Sequence, residues 1–415
     1  MTGLRPHSEA AAILTGGSAA RVLDILDRDG EEARVVGGAV RNALIGDPVH
    51  EIDIATTALP EEVLRRAKAS QLRAVPTGID HGTITLLVDG VPYEVTTLRE
   101  DVETYGRKAK VAFGRDWRRD AERRDFTVNA LSLSRDGVVH DYVGGLADLE
   151  ARRVRFIGDP AARIAEDYLR ILRFFRFHAA YGEGDPDHAA LHACIAARGG
   201  LVSLSRERVR MEMLKLLIAP RAANAVRAMA DAGLLSMILG GVPYLLALEK
   251  MIAIETAAGE QPDAIRRLGA LAAFVTEDAE RLLERLRLSN TERERLVGMA
   301  DGWWRIGADL TPHAARALLY RLGRGRFADR VLLAWSRSRE GVDDSRWRDL
   351  AALPTRWQSP SCPIGAADLM ARGVSKGPSL GAALRAAEAA WIAADFPSDP
   401  AVIAAIADRA ASNRT

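Results

Sequence analysis

Two cysteines in 415 residues, Cys194 and Cys362, lie far apart in the chain and give no reason to expect a disulfide framework or a thiolate metal site. A membrane-length apolar run is missing as well. The longest stretch without a charge, about 232 to 248, is interrupted by Gly240, Gly241 and Pro243 and reads as core helix and turn. The opening "MTGLRPHSEAAAILTGG" lacks a basic segment followed by a sustained apolar run, so no secretory signal is expected and the cytoplasm is the default setting. The formal net charge is only +1, although 27% of residues are charged, and this excludes a surface that is basic all over. Any nucleic-acid contact must be a local patch. No repeat recurs at a fixed period.

What the chain does have is length enough for several cores and a change of pattern part-way along. Up to about residue 150, β-branched runs ("ARVVGG", "EIDIATT", "GTITLLV", "VPYEVTTL") alternate with helical patterns, which predicts an α/β domain. Asp89-Gly90 between two such runs predicts a tight hairpin. From about Pro160 apolar residues recur at three and four positions, so the rest reads as helix, with joints expected near 218–223, 240–243 and 354–364. The doubly charged segment 99–122 reads as a solvated loop carrying Gly106 and Gly114.

The chemistry begins at "VVGGAVRNALIGDPVHEIDIATT", residues 35–57. Gly37 and Gly38 follow an apolar strand and open a helix, so their amides can approach a phosphate, and Arg41 one turn in offers a planar fork to its oxygens. Glu51 and Asp53, two apart on a predicted strand, project from the same face. Carboxylates that close repel unless a cation lies between them, which points to a hard divalent ion such as Mg²⁺. Glu94 on the hairpin could add a third oxygen. Alone, a glycine pair marks only a hinge, and an acid–apolar–acid strand only a solvated face; at this spacing they read together as a phosphoryl-transfer site.

Two further segments extend it. "AERRDFTVNALSL" sets Arg123, Arg124 and Asp125 before an apolar run. In "IAEDYLRILRFFRF", read as one helix, Arg170, Arg173 and Arg176 form a basic ridge while Leu169, Leu172 and Phe175 turn to packing. Asp167, one turn before Arg170, would give an acceptor beside donors, as suits the edge of a base. The bland alternative is a surface ion pair.

These strings, followed in order by "SRERVRMEMLKLL", resemble the class II tRNA nucleotidyltransferases (CCA-adding enzymes) and bacterial poly(A) polymerases from about Arg34 to Leu217. The resemblance implies an α+β molecule: a nucleotidyltransferase head with a small mixed sheet (1–150), then an all-α neck that reads the base (151–220), a body (221–330) and an RNA-binding tail (331–415). It places the phosphate site on Gly37, Gly38, Arg41 and Arg124, with Asp125 beside it, and two Mg²⁺ ions, replaceable by Mn²⁺, on Glu51 and Asp53, with Glu94 as the additional acid. Base reading falls on Asp167 and Arg170, oriented by Glu166, with Arg173 and Arg176 helping to hold the nucleotide. The implied reaction is addition of C, C and A to the 3′ end of tRNA from CTP and ATP, releasing pyrophosphate, with no membrane or protein partner. Poly(A) synthesis, or a catalytically weak RNA-binding relative, is the alternative. Two positions depart from the family: Glu51 stands where aspartate is usual, which implies weakened activity or a preference for Mn²⁺, and Asn42 stands where "VRD" is usual.

Elsewhere the signals are weaker. Arg206, Arg208, Arg210 and Lys215 are candidates for RNA phosphates, as readily as an exposed helix face. His188 and His192 at i,i+4 lack the glutamate and third ligand of a zinc site and read as a surface pair. His81 is expected to fix a turn, and Trp303 and Trp304 to pack inside helices. His140-Asp141 precedes the helical half and predicts no His-Asp phosphohydrolase domain.

Overall fold

The β-branched runs become strands that meet in one mixed sheet. The computed structural model describes residues 7–105 and 108–412, which divide into two units meeting at Ile238 and Leu239. In the first unit the strands are β1 (Ala33–Val36), β2 (Asp53–Thr56), β3 (Arg73–Gly78), β4 (Thr83–Val88), β5 (Val91–Thr97), β6 (Arg99–Tyr105), β7 (Lys108–Phe113), β8 (Ser132–Ser134) and β9 (Val139–His140). Seven of them form a sheet in the order β3-β4-β5-β2-β1-β8-β9, in which β2 and β5 run parallel and the other neighbours antiparallel. The hairpin expected at Asp89-Gly90 joins β4 to β5, and both residues have the positive φ (51° and 81°) that such a turn needs. Segment 99–122, expected as a loop, instead contains the two-stranded ribbon β6–β7; the alternation in "KAKVAF" was hidden by the density of charge around it. Gly106 lies outside the described residues.

Helices Gly17–Leu26 and Pro60–Ala69 cover this sheet. Arg66, 6% exposed, ties them together by donating from Nη1 to the carbonyls of Leu26 and Arg28 at 2.9 Å, so its charge meets the carbonyl end of the first helix. Phe126 packs on Phe156 (centroids 4.7 Å apart) and edge-on against Phe177 (5.3 Å), and Phe156 stacks with Phe174 (5.8 Å). Each such buried ring stabilises by roughly 1.5–3 kcal/mol. The cluster fixes helix Leu169–Tyr181, and with it the arginine ridge, against the sheet domain.

That helix is shorter than expected. "IAEDYLRILRFFRF" breaks into Pro160–Glu166 and Leu169–Tyr181, with Asp167 extended between them (φ −156°, ψ 108°). The aspartate leaves the helix because its carboxylate caps the next one, accepting from the Leu169 amide at 3.0 Å. The Tyr168 ring lies close against Gly200, where an added Cβ would collide with it.

After Val139–His140 the chain is helical, as the periodicity predicts. The second unit is built on helices Leu245–Ala258, Ala264–Ala272, Thr276–Leu286, Asn290–Ala300 and Pro312–Arg337, the last kinked at Gly323 (φ 72°). The ends are capped as the sequence suggests: Asp263 accepts from the Arg266 amide, and Ser289 with Glu292 forms a capping box. A second apolar cluster gathers Leu369, Ala387, Trp391, Ile392 and Ala407. Trp303 and Trp304 do not pack inside a helix. They sit on a short 3-10 turn, Trp303 edge-on to Phe274 and Trp304 52% exposed. His188 and His192 are exposed, in keeping with a surface pair, and both cysteines are free, the Cys194 thiol pushed up to about 12 by burial. Among the described residues no helix is long and apolar enough to cross a membrane.

Candidate active site

β1 ends at Val36 and the chain turns through Gly37 into helix Gly38–Ile45. Gly37 adopts φ 70°, ψ −127°, which a residue with a Cβ rarely does, and an added Cβ would lie 3.2 Å from Arg124 Nη1. The turn is therefore flanked by guanidinium. Its two amides are not equivalent, contrary to expectation: Gly37 N–H already donates to the Leu131 carbonyl (3.0 Å), while Gly38 N–H is in the first helical turn, where no carbonyl four residues back is available.

Arg41 lines the cleft but is only 6% exposed. Its guanidinium donates to Asn129 Oδ1, to Asn42 Oδ1 (2.9 and 3.1 Å) and to the Tyr181 hydroxyl (2.8 Å), and stacks 4.0 Å over the Tyr181 ring. Burial holds its pKa below the ordinary arginine value. All three direct acceptors are neutral, and among the described residues Arg41 makes no ion pair, so a buried positive charge sits beneath the turn. Asn42, in place of the usual acid, is one reason.

Asp53 opens β2, where it is the register partner of Glu94 on parallel β5 and of Val36 on β1. Glu51 was expected on the same strand; it lies just ahead of it, because the β1 ladder runs out at Val36. All three carboxylates face one cleft. Enclosure by the cleft walls raises the Asp53 pKa, Glu94 and Glu51 raise it further, and Arg124 opposes them. Among the described residues none of the three acids is in an ion pair, and no three His, Cys, Asp or Glu side chains gather tightly enough to hold a metal unaided. Unpaired acids that repel one another fit an ion that takes two protein carboxylates and completes its shell from water and phosphate oxygens.

The opposite wall is basic and already internally paired. Helix Trp117–Glu122 presents Asp120, 4% exposed, which accepts from Arg123 (2.5 Å) and Arg124 (3.2 Å). Burial would raise the Asp120 pKa, but the two arginines hold it below the ordinary range. Asp125 behaves likewise. It accepts from Arg173 Nε (2.7 Å), Asn129 Nδ2 (3.2 Å) and the Phe126 amide (2.9 Å), which together outweigh its burial. Arg173 and Arg176 also face Glu212, at 3.8 and 2.5 Å. Glu166 pairs with Arg170 and Arg163, and Asp167 with Arg208.

One cleft of about 730 Å³ is lined by Gly37, Gly38, Arg41, Glu51, Asp53, Glu94, Arg124, Asp125, Asp167, Arg170, Arg173 and Arg176. Glu166 stands behind it, holding Arg170. The same walls include Asp120, Asn129 and Arg208, which sequence reasoning did not assign to the nucleotide, and Glu212 and Tyr181 support them. Arg208 thus faces this cleft. For Asn129, a signal was available: it falls in "RRDFTVNAL", already singled out.

Residues 33–155 match the poly A polymerase head domain, and residues 187–248 match a domain described as a probable RNA and SrmB- binding site of polymerase A. The chain is 33% identical to the mitochondrial CCA tRNA nucleotidyltransferase 1 of Mus musculus over 382 residues, covering 89% of this chain and 84% of that one. It belongs to the tRNA nucleotidyltransferase and poly(A) polymerase family. A CCA-adding enzyme of Limosilactobacillus fermentum is 34% identical over 88% of this chain and 89% of its own length. Among solved structures, the Bacillus stearothermophilus CCA-adding enzyme in complex with CTP superposes with a TM-score of 0.73 at 25% identity, covering 94% of this chain and 96% of that one. In this tRNA nucleotidyltransferase family member the head-domain match takes in the mixed sheet from β1 to β9, and the second, separate match runs past Leu239 into the second unit.

Proposed function

We propose that the protein adds C, C and A to the 3′ end of tRNA from CTP and ATP without a nucleic-acid template, releasing pyrophosphate. The observation that carries the reading is one cleft that sets unpaired Glu51, Asp53 and Glu94 and the Gly37–Gly38 turn among the same walls as Asp167 and Arg170. The names of the similar relatives agree with it. Residues 1–150 act as head, 151–220 as neck, 221–330 as body and 331–415 as tail, and the setting is the cytoplasm.

Glu51 and Asp53 would hold a divalent ion such as Mg²⁺, with Glu94 adding negative charge beside them; such an ion would favour ionisation of the attacking 3′-hydroxyl and offset the charge of the leaving pyrophosphate. The Gly38 amide and Arg124 steady the phosphates, and Arg41 supplies buried positive charge beneath them. Asp167 accepts the exocyclic amino group of cytosine or adenine, and Arg170 donates to the neighbouring ring nitrogen. No side chain need act as a strong base, because positioning and charge carry phosphoryl transfer. Incubation with tRNA lacking its 3′ end and each labelled nucleotide tests the reading. Incorporation of C, C and then A that stops supports it, a long A ladder means poly(A) synthesis, and no incorporation with retained tRNA binding means an inactive relative.

Two results bear on the acids. Since the Asp53 carboxyl titrates above its ordinary 3.8, protons compete with the divalent ion as pH falls toward that raised value. Incorporation should lose activity on an acid limb that moves to lower pH as the Mg²⁺ concentration rises. A limb indifferent to Mg²⁺ would exclude this competition. For Glu51→Asp, the shorter side chain should raise the Mg²⁺-supported rate several-fold and narrow any preference for Mn²⁺. No gain with either ion would show the glutamate to be harmless.

A further inference from the structure

Asp167 stands at a helix break, so no regular backbone fixes where its carboxylate points. Two contacts do. Oδ1 accepts from the Leu169 amide at 3.0 Å, and the Arg208 guanidinium grips both oxygens, Nη2 to Oδ2 at 2.5 Å and Nη1 to Oδ1 at 3.3 Å. Arg208 belongs to helix Arg206–Leu217, whose Val209, Met213, Leu216 and Leu217 are buried. One turn on, Glu212 is 5% exposed and holds Arg176 and Arg173, so position 208 presents a cation to Asp167 and position 212 an anion to the ridge helix. Arg170 does not hold the Asp167 carboxylate: its Nη1 donates to Glu166 and to the Arg163 carbonyl.

We infer that Arg208 is a specificity-determining positioning residue, fixing Asp167 as a pure acceptor so that the cleft takes bases carrying an amino group and rejects those carrying a carbonyl there. The inference rests on the reading of Asp167 as the base-reading acid. A carboxylate has about four lone-pair sites. Three are spoken for by Arg208 and the Leu169 amide, and the remaining acceptor site on Oδ2 is left for a ligand in the cleft that Asp167 and Arg208 both line. The amino groups of cytosine and adenine donate into such a site. The carbonyl of uracil or guanine would bring lone pair against lone pair, and a site built to receive a donor penalises a ligand without one. Without the arginine fork the carboxyl group can turn, and the distinction weakens.

The test uses full-length protein and tRNA lacking its CCA end, reading kcat and KM for CTP and UTP together with KM for the tRNA. Arg208→Gln should reduce the CTP-over-UTP ratio of kcat/KM at least about 10-fold, through the nucleotide terms, with the tRNA KM unchanged. Arg208→Lys, which keeps charge but not the fork, should recover part of the ratio and decides the matter if the glutamine variant does not fold. An equal fall for CTP and UTP would reduce Arg208 to a structural role. A raised tRNA KM with an intact ratio would assign it to RNA contact, as its place in the RNA-binding match suggests, and either result overturns the inference. Asp167→Asn separates the two levels: if it leaves the ratio intact, the base-reading assignment of Asp167 fails, whereas if it collapses the ratio and the Arg208 variants do not, only the inference fails.

Discussion

Asp53→Asn should abolish nucleotide incorporation, on the order of 10³-fold or more in kcat, while leaving CTP binding in the absence of metal close to that of the unaltered protein. The substitution keeps shape and hydrogen-bonding capacity but removes one of two charges placed to hold a divalent ion, and Glu94, its partner across β2 and β5, is not in line to replace both. A second consequence has the opposite sign. Asp53 titrates above its ordinary value because of its enclosure and because Glu94 and Glu51 lie close, so at neutral pH its ionised form destabilises the metal-free fold. That cost is relieved as pH falls through the raised pKa, and a neutral amide relieves it at every pH. Metal-free Asp53→Asn protein should therefore melt at a higher temperature than the parent at pH 7, with the difference shrinking toward pH 4. A lowered melting temperature would mean that the three acids are held by something other than a bound cation, and the assignment of the metal site would fail with it.

The site was legible where chemistry leaves a local mark. Gly37 shows in the sequence because a strained turn beside Arg124 tolerates no side chain, and Asp53 and Glu94 show because acids among β-branched residues have no packing reason to be there. The arginine ridge is visible in the sequence as 3.6-residue periodicity, and Leu172 and Phe175 on the same helix are buried. What stayed hidden is pairing across the fold. Whether Arg208 meets RNA or Asp167, 41 residues away, depends on how two helices pack, and so does the engagement of Glu212 with Arg173 and Arg176. The break at Asp167 was missed because helical periodicity runs through it, and its signal, an aspartate able to cap the next turn, competes weakly with such a pattern. Arg41 illustrates the remaining gap: the motif points it at a phosphate, but only the structure shows Asn129, Asn42 and Tyr181 gathered around it.

Not all basic clusters in this family member belong to nucleic acid, and Glu255→Ala should demonstrate it. Glu255 is 1% exposed in helix Leu245–Ala258 and accepts from Arg266 (3.3 Å) and Arg267 (2.7 Å), themselves 7% and 4% exposed. Arg266 continues to Asp329, which Arg295 grips at 2.5 and 2.8 Å while also reaching Asp263. Burial raises the Glu255 pKa despite the two arginines, a sign of how little solvent reaches the cluster. Removing the carboxylate leaves two buried cations short of their shared counter-charge, a change that costs about 3–5 kcal/mol. Six of the seven tryptophans lie between residues 303 and 391, so fluorescence during urea unfolding reports chiefly on this unit. The midpoint should fall markedly with Glu255→Ala and much less with Glu255→Gln, which keeps an acceptor for the guanidinium donors. If the alanine variant instead unfolded with the parent and lost affinity for tRNA, these arginines would have to be assigned to the RNA rather than to the interior of the second unit.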